Sequence, residues 1–313
     1  MRGKIIVTGA NGFTGKYLMR ELAEYGFQAV GIWHHSMPEH GGEFEWHRID
    51  LTDGDACERL VDRVKPDAII HLAAQNSVPA AKQNPGETLR NNVLAAVNIL
   101  EACRKSTGDI RCMLAGSAAV YDMSACSHKI TEDMPVLPRN TYALTKYFQE
   151  QMAQRYRADY GMDILCTRPF NYSGYCQGEN CFLPNLCRQV SRIAGGRQEP
   201  KLNLGNLQVS RDFLDVRDVA CAYRLLLDED VPSGIYNISS DSSVKLIDIA
   251  DYLCHKAGIE IEIHTDESLL RKDDVPYICG SAEKIKAATN WKADHSVFDT
   301  VNWIYESMQE EMV

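Results

Sequence analysis

The chain has 313 residues, 45% of them hydrophobic and 24% charged, with a formal net charge of −10. That is a globular composition with ample material for a core, and its length fits two domains or one large α/β domain. The acidic balance argues against a nucleic-acid partner, which needs clustered Lys and Arg, but leaves room for a small anionic ligand held by a few local cations.

The apolar run in MRGKIIVTGA is too short for a signal peptide, and no stretch reaches the roughly 18–20 apolar residues of a membrane span. The 11 cysteines show neither CxxC nor Cys/His zinc spacing. They read as reduced thiols of a cytoplasmic protein, with no metal site expected. In chain order, KIIVTGA, FQAVGIW, AIIHLAA, CMLAGSA and DILCTRPF read as strands, spaced to leave helices between them. Their two-sided apolar character predicts a parallel sheet covered by helices on both faces. After residue 171, Pro, Gly and Asn punctuate the pattern, and a smaller second domain is expected.

Gly9, Gly12 and Gly15 lie in TGANGFTGKYLMREL, between the first strand and a helical pattern carrying Leu18, Met19, Leu22 and Ala23. Glycines there let the backbone turn tightly and approach a pyrophosphate seated at the helix N-terminus. The spacing is GxxGxxG, and its setting between strand and helix points to dinucleotide binding. The second strand ends in GIWHHSM. His34, His35 and Ser36 stand where NAD-binding chains place a carboxylate for the adenosine ribose, which leans towards NADP(H) over NAD(H). The alternative is a solvated loop. Asp50, in RIDLTD, either holds the adenine amino group or caps the next helix.

Tyr142 and Lys146 in NTYALTKYFQE share one helix face at a spacing of four. An ammonium beside a tyrosine favours phenolate and eases proton exchange near neutral pH. The pattern is cheap: Tyr252 and Lys256 in DYLCHKAG repeat it. Only the first copy follows a strand–loop with a hydroxyl, Ser117 in GSAAVYD, so the second reads as an ordinary amphipathic helix.

TGANGFTG, HLAAQNSV, GSAAVY, YALTK and RPFN, in that order, resemble the extended short-chain dehydrogenases that act on nucleotide sugars, the NAD-dependent epimerase/dehydratase family. The resemblance covers nearly the whole chain. It implies an α/β fold: a Rossmann-type doubly wound parallel sheet over residues 1–170 plus about 212–240. A smaller C-terminal α/β substrate domain would take about 171–211 plus 241–313. It implies Ser117, Tyr142 and Lys146 as the catalytic set, with Asn92 in support. It also implies a cofactor lying along Gly9, Asn11, Gly12, Phe13, Thr14, Gly15, His34, His35, Asp50, Leu51, Leu72, Ala73, Ala74 and Arg168, besides Asn92, Tyr142 and Lys146. Members often dimerise through two helices per subunit, here around residues 87–104 and 142–160, so a homodimer is expected.

Sugar 4,6-dehydratases of that family carry an acid two places after the catalytic hydroxyl, because they must take a proton from C5 and expel the C6 hydroxyl. Here the place is Ala119, preceded by Ala118, and a methyl group exchanges no proton. Glu132 and Asp133 are the possible substitutes and read as loop residues at the rim. What remains is equipment for hydride transfer at a carbonyl.

For the substrate, Asn171 in RPFNYSG can donate to a phosphate oxygen. Arg211 and Arg271 are candidate diphosphate clamps, each otherwise a surface ion-pair residue. The resemblance implies the pyrophosphate role for these positions, ribose contacts for Asp274 and a substrate contact for Ser77. GFTGKYL, TRPFNYSGYCQG, LGNLQVSRDFLDVRDV and DVPYICGSAEKIKAATNWK are most similar to members that reduce the 4-keto group of a GDP-linked 6-deoxy-mannose. Ala118 and Ala119 look more like a 4-epimerase loop, Asp122 stands where Gly is usual, and YSGYCQG lacks a common Pro-Gly. The expectation is therefore an NADPH-dependent 4-keto reductase, with a nucleotide-sugar 4-epimerase as the alternative. A catalytically silent dinucleotide sensor would be expected to have lost the tyrosine.

Overall fold

The computed structural model describes residues 2–36, 42–123, 128–270 and 274–311. Seven strands form one sheet: β1 (Arg2–Thr8), β2 (Phe27–Trp33), β3 (Glu45–Arg48), β4 (Ala68–His71), β5 (Arg111–Ala115), β6 (Ile164–Pro169) and β7 (Gly234–Ile238). Their order is β7-β6-β5-β4-β1-β2-β3, and every pairing is parallel. This is the doubly wound Rossmann arrangement, with its switch point between β1 and β4.

The major helices are α1 (Phe13–Glu24), α2 (Gly54–Val64), α3 (Ala95–Lys105), α4 (Thr141–Tyr160), α5 (Phe182–Ala194), α6 (Val216–Leu225), α7 (Leu246–Ala257), α8 (Glu283–Thr289) and α9 (Val297–Glu310). Strand side chains alternate between two faces. Ile5, Val7, Ile70, Met113 and Leu165 meet α1, α6 and α8 on one side. Ile6, Ile69, Cys112, Leu114 and Cys166 meet α2, α3 and α4 on the other. Burial on both faces explains why the strands read as unbroken apolar runs. On α1, Leu18, Met19 and Leu22 are buried as expected, while Ala23 is exposed.

A third core joins α5, α7 and α9 to a two-stranded pair, Lys201–Leu204 and Glu262–Thr265. Ala282, Ile285 and Trp291, expected with the second domain, pack in the first core instead. The chain returns there because α8 lies against β7. Among the described residues no helix is long and apolar enough to cross a membrane.

Candidate active site

The glycine turn after β1 is forced by close contacts. Gly9 adopts φ +67°, and a Cβ there would come within 2.9 Å of the Ala73 nitrogen. A Cβ on Gly15 would sit 2.4 Å from the Gly9 carbonyl oxygen. Helix α1 begins after Gly12 with no side chain capping it, so its first N–H groups are offered to an anion. This cradle fits the pyrophosphate of a dinucleotide.

Beside it lies a cleft of about 900 Å³ lined by Gly9, His34, His35, Asp50, Leu51, Ala73 and Ala74. Leu72 does not line this cleft; its backbone carbon would lie 3.2 Å from a Cβ on Gly9. Asn11 ties the turn to the β2 loop, donating to the Ser36 carbonyl at 3.1 Å and its hydroxyl at 3.2 Å. The His34 and His35 rings are 4.2 Å apart, and His34 Nε2 is 3.9 Å from the Asp50 carboxylate. Asp50 accepts from the Thr52 amide and hydroxyl at 2.9 and 2.8 Å, which holds its carboxyl below the usual range. The helix-cap alternative for Asp50 falls away, because Asp53 caps α2. Phe13 stacks on Tyr172, and the Thr14 hydroxyl meets the Tyr172 hydroxyl at 2.9 Å. Arg90 also lines this cleft and donates to Thr52 Oγ1 at 3.1 Å. Sequence reasoning missed it, because nothing local marks a lone cation in RNNVLAAVN.

Asn140 caps α4 by accepting from the Ala143 amide at 2.9 Å, which sets Tyr142 in the first turn. Ser117, at the end of β5, accepts from the Ala119 amide at 3.2 Å and lies near enough to the Tyr142 phenol to lower its pKa against the larger effect of burial. The structure thus brings Ser117 and Tyr142 together. Burial pushes the Tyr142 phenol up to about 12, with Tyr172 adding to the shift and Ser117 opposing it. Lys146 is 3% exposed, and burial pulls its ammonium down to about 8. Its Nζ donates to the Ala115 carbonyl at 2.7 Å and stands 6.0 Å from the Tyr142 ring centroid. The expected lowering of the phenol by Lys146 is therefore replaced by a burial effect of the opposite sign, since the ammonium is directed at Ala115.

Tyr142 opens onto a second cleft of about 500 Å³, lined also by Asn171, Arg211 and Asp274. Asn171 donates to the Asp212 carbonyl at 3.0 Å. Arg211 pairs with Asp274 at 2.5 Å and donates to the Val275 carbonyl at 2.6 Å. Asp274 thus holds one candidate clamp and caps no helix. Ser77 is the N-cap of Val78–Gln83, accepting from Ala80, and its neighbour Asn76 lines the cleft instead. Arg271 lies outside the described residues.

Two expected cofactor contacts are placed elsewhere. Arg168 is 3% exposed, forms a two-point ion pair with Glu150 at 2.9 and 2.7 Å, and stacks over Tyr121. Asn92 is fully buried. Its Oδ1 accepts from the Gln75 amide, and its Nδ2 donates to the Gln75 carbonyl and to Thr145 Oγ1. No side-chain atom of Asn92 is left for a ligand. Glu132 accepts from the Asn237 amide and Asp133 from the Thr131 hydroxyl, and neither lines the second cleft. The second Tyr/Lys pair is structural: Tyr252 accepts from Asn302 and Lys256 pairs with Glu306.

The family described as GDP-mannose 4,6 dehydratase matches residues 6–303. A GDP-6-deoxy-D-mannose reductase from Pseudomonas aeruginosa is 31% identical, covering 100% of this chain and 99% of that one. A GDP-6-deoxy-D-talose 4-dehydrogenase from Aggregatibacter actinomycetemcomitans is 28% identical, covering 97% and 96%. Among solved structures, RMD from Pseudomonas aeruginosa complexed with NADPH superposes with a TM-score of 0.87 at 31% identity, over 99% of each chain.

Proposed function

The chain belongs to the GDP-mannose 4,6 dehydratase family, and from that premise we propose that it reduces the 4-keto group of a GDP-linked 6-deoxy-hexose, GDP-4-keto-6-deoxy-mannose first, using NADPH. It is an NAD(P)-dependent nucleotide-sugar oxidoreductase, as its relatives are. The observation that carries the reading is the Tyr142 phenol, which faces the second cleft with Ser117 close enough to oppose its shift, and with Ala118 and Ala119 where dehydration needs an acid. The family name describes elimination chemistry, for which positions 118 and 119 of this loop hold no acid.

A reduced nicotinamide supplies the hydride when bound. The glycine turn, Asn11 and the walls around His34, His35, Asp50, Leu51, Ala73 and Ala74 would hold the dinucleotide. Tyr142, with its phenol pushed up to about 12, is protonated at neutral pH and donates to the carbonyl oxygen, which Ser117 orients. Lys146 ties the helix of Tyr142 to the end of β5 through the Ala115 carbonyl. Asn171, Arg211 and Asp274 form the diphosphate and ribose end of the substrate cleft.

Leu89, Leu94, Leu144 and Phe148 are exposed at 39%, 41%, 38% and 42%, on the two segments expected to pair with a second copy. We assign that face to a homodimer, whose loss on Phe148→Glu is read by sedimentation. All ten described cysteines are free, which supports a reducing compartment such as the cytoplasm.

The deciding experiment follows absorbance of the reduced nicotinamide with purified protein, NADPH and GDP-4-keto-6-deoxy-mannose. Stoichiometric loss supports the reductase. No loss, with interconversion of GDP- or UDP-hexoses on bound NAD, supports the epimerase.

A further inference from the structure

Between α4 and the floor of the cofactor cleft lies a polar cluster that the proposed mechanism does not use. Residues Arg90–Leu94 form one π-helical turn, a widening that such helices reserve largely for functional places. The Ala95 N–H is shared between the Arg90 and Asn92 carbonyls. Gln149 adds a side-chain donor from outside that helix: its Nε2 reaches the Asn92 carbonyl at 2.9 Å. Gln149 is 1% exposed, and its Oε1 has no partner.

The Asn92 carbonyl fixes the orientation of the amide. Turning it over would set one acceptor against another. A half-satisfied buried amide is a poor device for stability alone, where an apolar side chain does better. Its place on the helix supplies another purpose. Gln149 lies seven residues after Tyr142 and three after Lys146, on the same face of α4. The Asn92 side chain grips Thr145 at 2.9 Å and its carbonyl grips Gln149, so the two ties straddle Lys146. The other end of Asn92 is bonded to the backbone of Gln75, which lines the cofactor cleft.

We propose that Gln149 is a positioning residue, which sets the rotation of α4 through the π-turn carbonyl and so aligns Tyr142 and Lys146 with the cofactor floor. The proposal rests on the reading of Tyr142 and Lys146 as the catalytic pair.

The test compares Gln149→Leu, Thr145→Val and Tyr142→Phe with the unaltered protein, using NADPH and GDP-4-keto-6-deoxy-mannose across pH. Gln149→Leu is expected to lower kcat about tenfold to a hundredfold, with both KM values within about twofold. The alkaline limb of its kcat profile moves by about half a pH unit or more. Thr145→Val, which cuts the neighbouring tie, shows the same split and carries the test if Gln149→Leu does not fold. Wild-type kcat and superimposable profiles in the folded variants, with Tyr142→Phe inactive, overturn the proposal alone. Full activity in Tyr142→Phe overturns the catalytic reading beneath it.

Discussion

Lys146 donates to the carbonyl oxygen of Ala115 at 2.7 Å, joining the helix of Tyr142 to the strand that ends two residues before Ser117. The bond holds the two halves of the candidate catalytic set in register. It also places an ammonium where water cannot reach.

That burial has a measurable cost. The Lys146 ammonium is pulled from 10.5 down to about 8. Below about 8 both folded and unfolded chains carry the charge, and the burial penalty is fully present. Between about 8 and 10.5 the unfolded chain binds more protons, so this contribution to stability rises with pH. Lys146→Met lacks the titration. Denaturant melts from pH 7 to about pH 11 should show wild type gaining roughly 3 kcal/mol relative to the variant. A constant difference would mean that Lys146 is not desolvated.

Tyr142→Phe removes the proton donor and keeps the ring. Its kcat for NADPH consumption should fall about 10²- to 10⁴-fold with little change in KM. Ser117→Ala removes one hydrogen bond to the carbonyl oxygen and should cost about 10²-fold or more. Single-turnover traces separate both from slow product release.

Arg168→Met breaks the buried pair with Glu150 and leaves a carboxylate uncompensated. The expected loss is about 3–5 kcal/mol of stability. Protein that stays folded should bind NADPH as wild type does, by fluorescence titration. A selective loss of NADPH affinity at unchanged stability would return Arg168 to the cofactor.

His34→Ala with His35→Ala should raise KM for NADPH about tenfold and leave KM for NADH unchanged, because only NADPH carries a 2′-phosphate. Equal effects on both would assign the rings to the adenosine itself.

Much of this architecture is legible along the chain. β4 and β6 are buried residue after residue, so their hydrophobic runs announce themselves, and the glycine turn is a local pattern with a local cause. The Tyr142 and Tyr252 copies are separated by what precedes them. Contacts between distant residues are not written in spacing. Arg211 meets Asp274 across 63 positions, and Arg168 meets Glu150 from a strand to a helix. A lone Arg in the sequence looks equally ready for phosphate or for a carboxylate. Ser77 and Asn76 are both polar, and only the turn into a short helix decides that one caps and the other faces the cleft. The π-turn that presents Asn92 to Gln149 has no sequence signature of its own.

The meeting of Thr14 with Tyr172 has a neighbour one turn along α1, where the Tyr17 hydroxyl donates to the Tyr175 carbonyl at 2.7 Å and the edge of Trp303 packs on the Tyr17 ring. The helix that begins at the glycine turn is therefore tied to the segment after β6 and to α9. Any movement of α1 away from that segment would have to break both hydrogen bonds and unstack Phe13 from Tyr172.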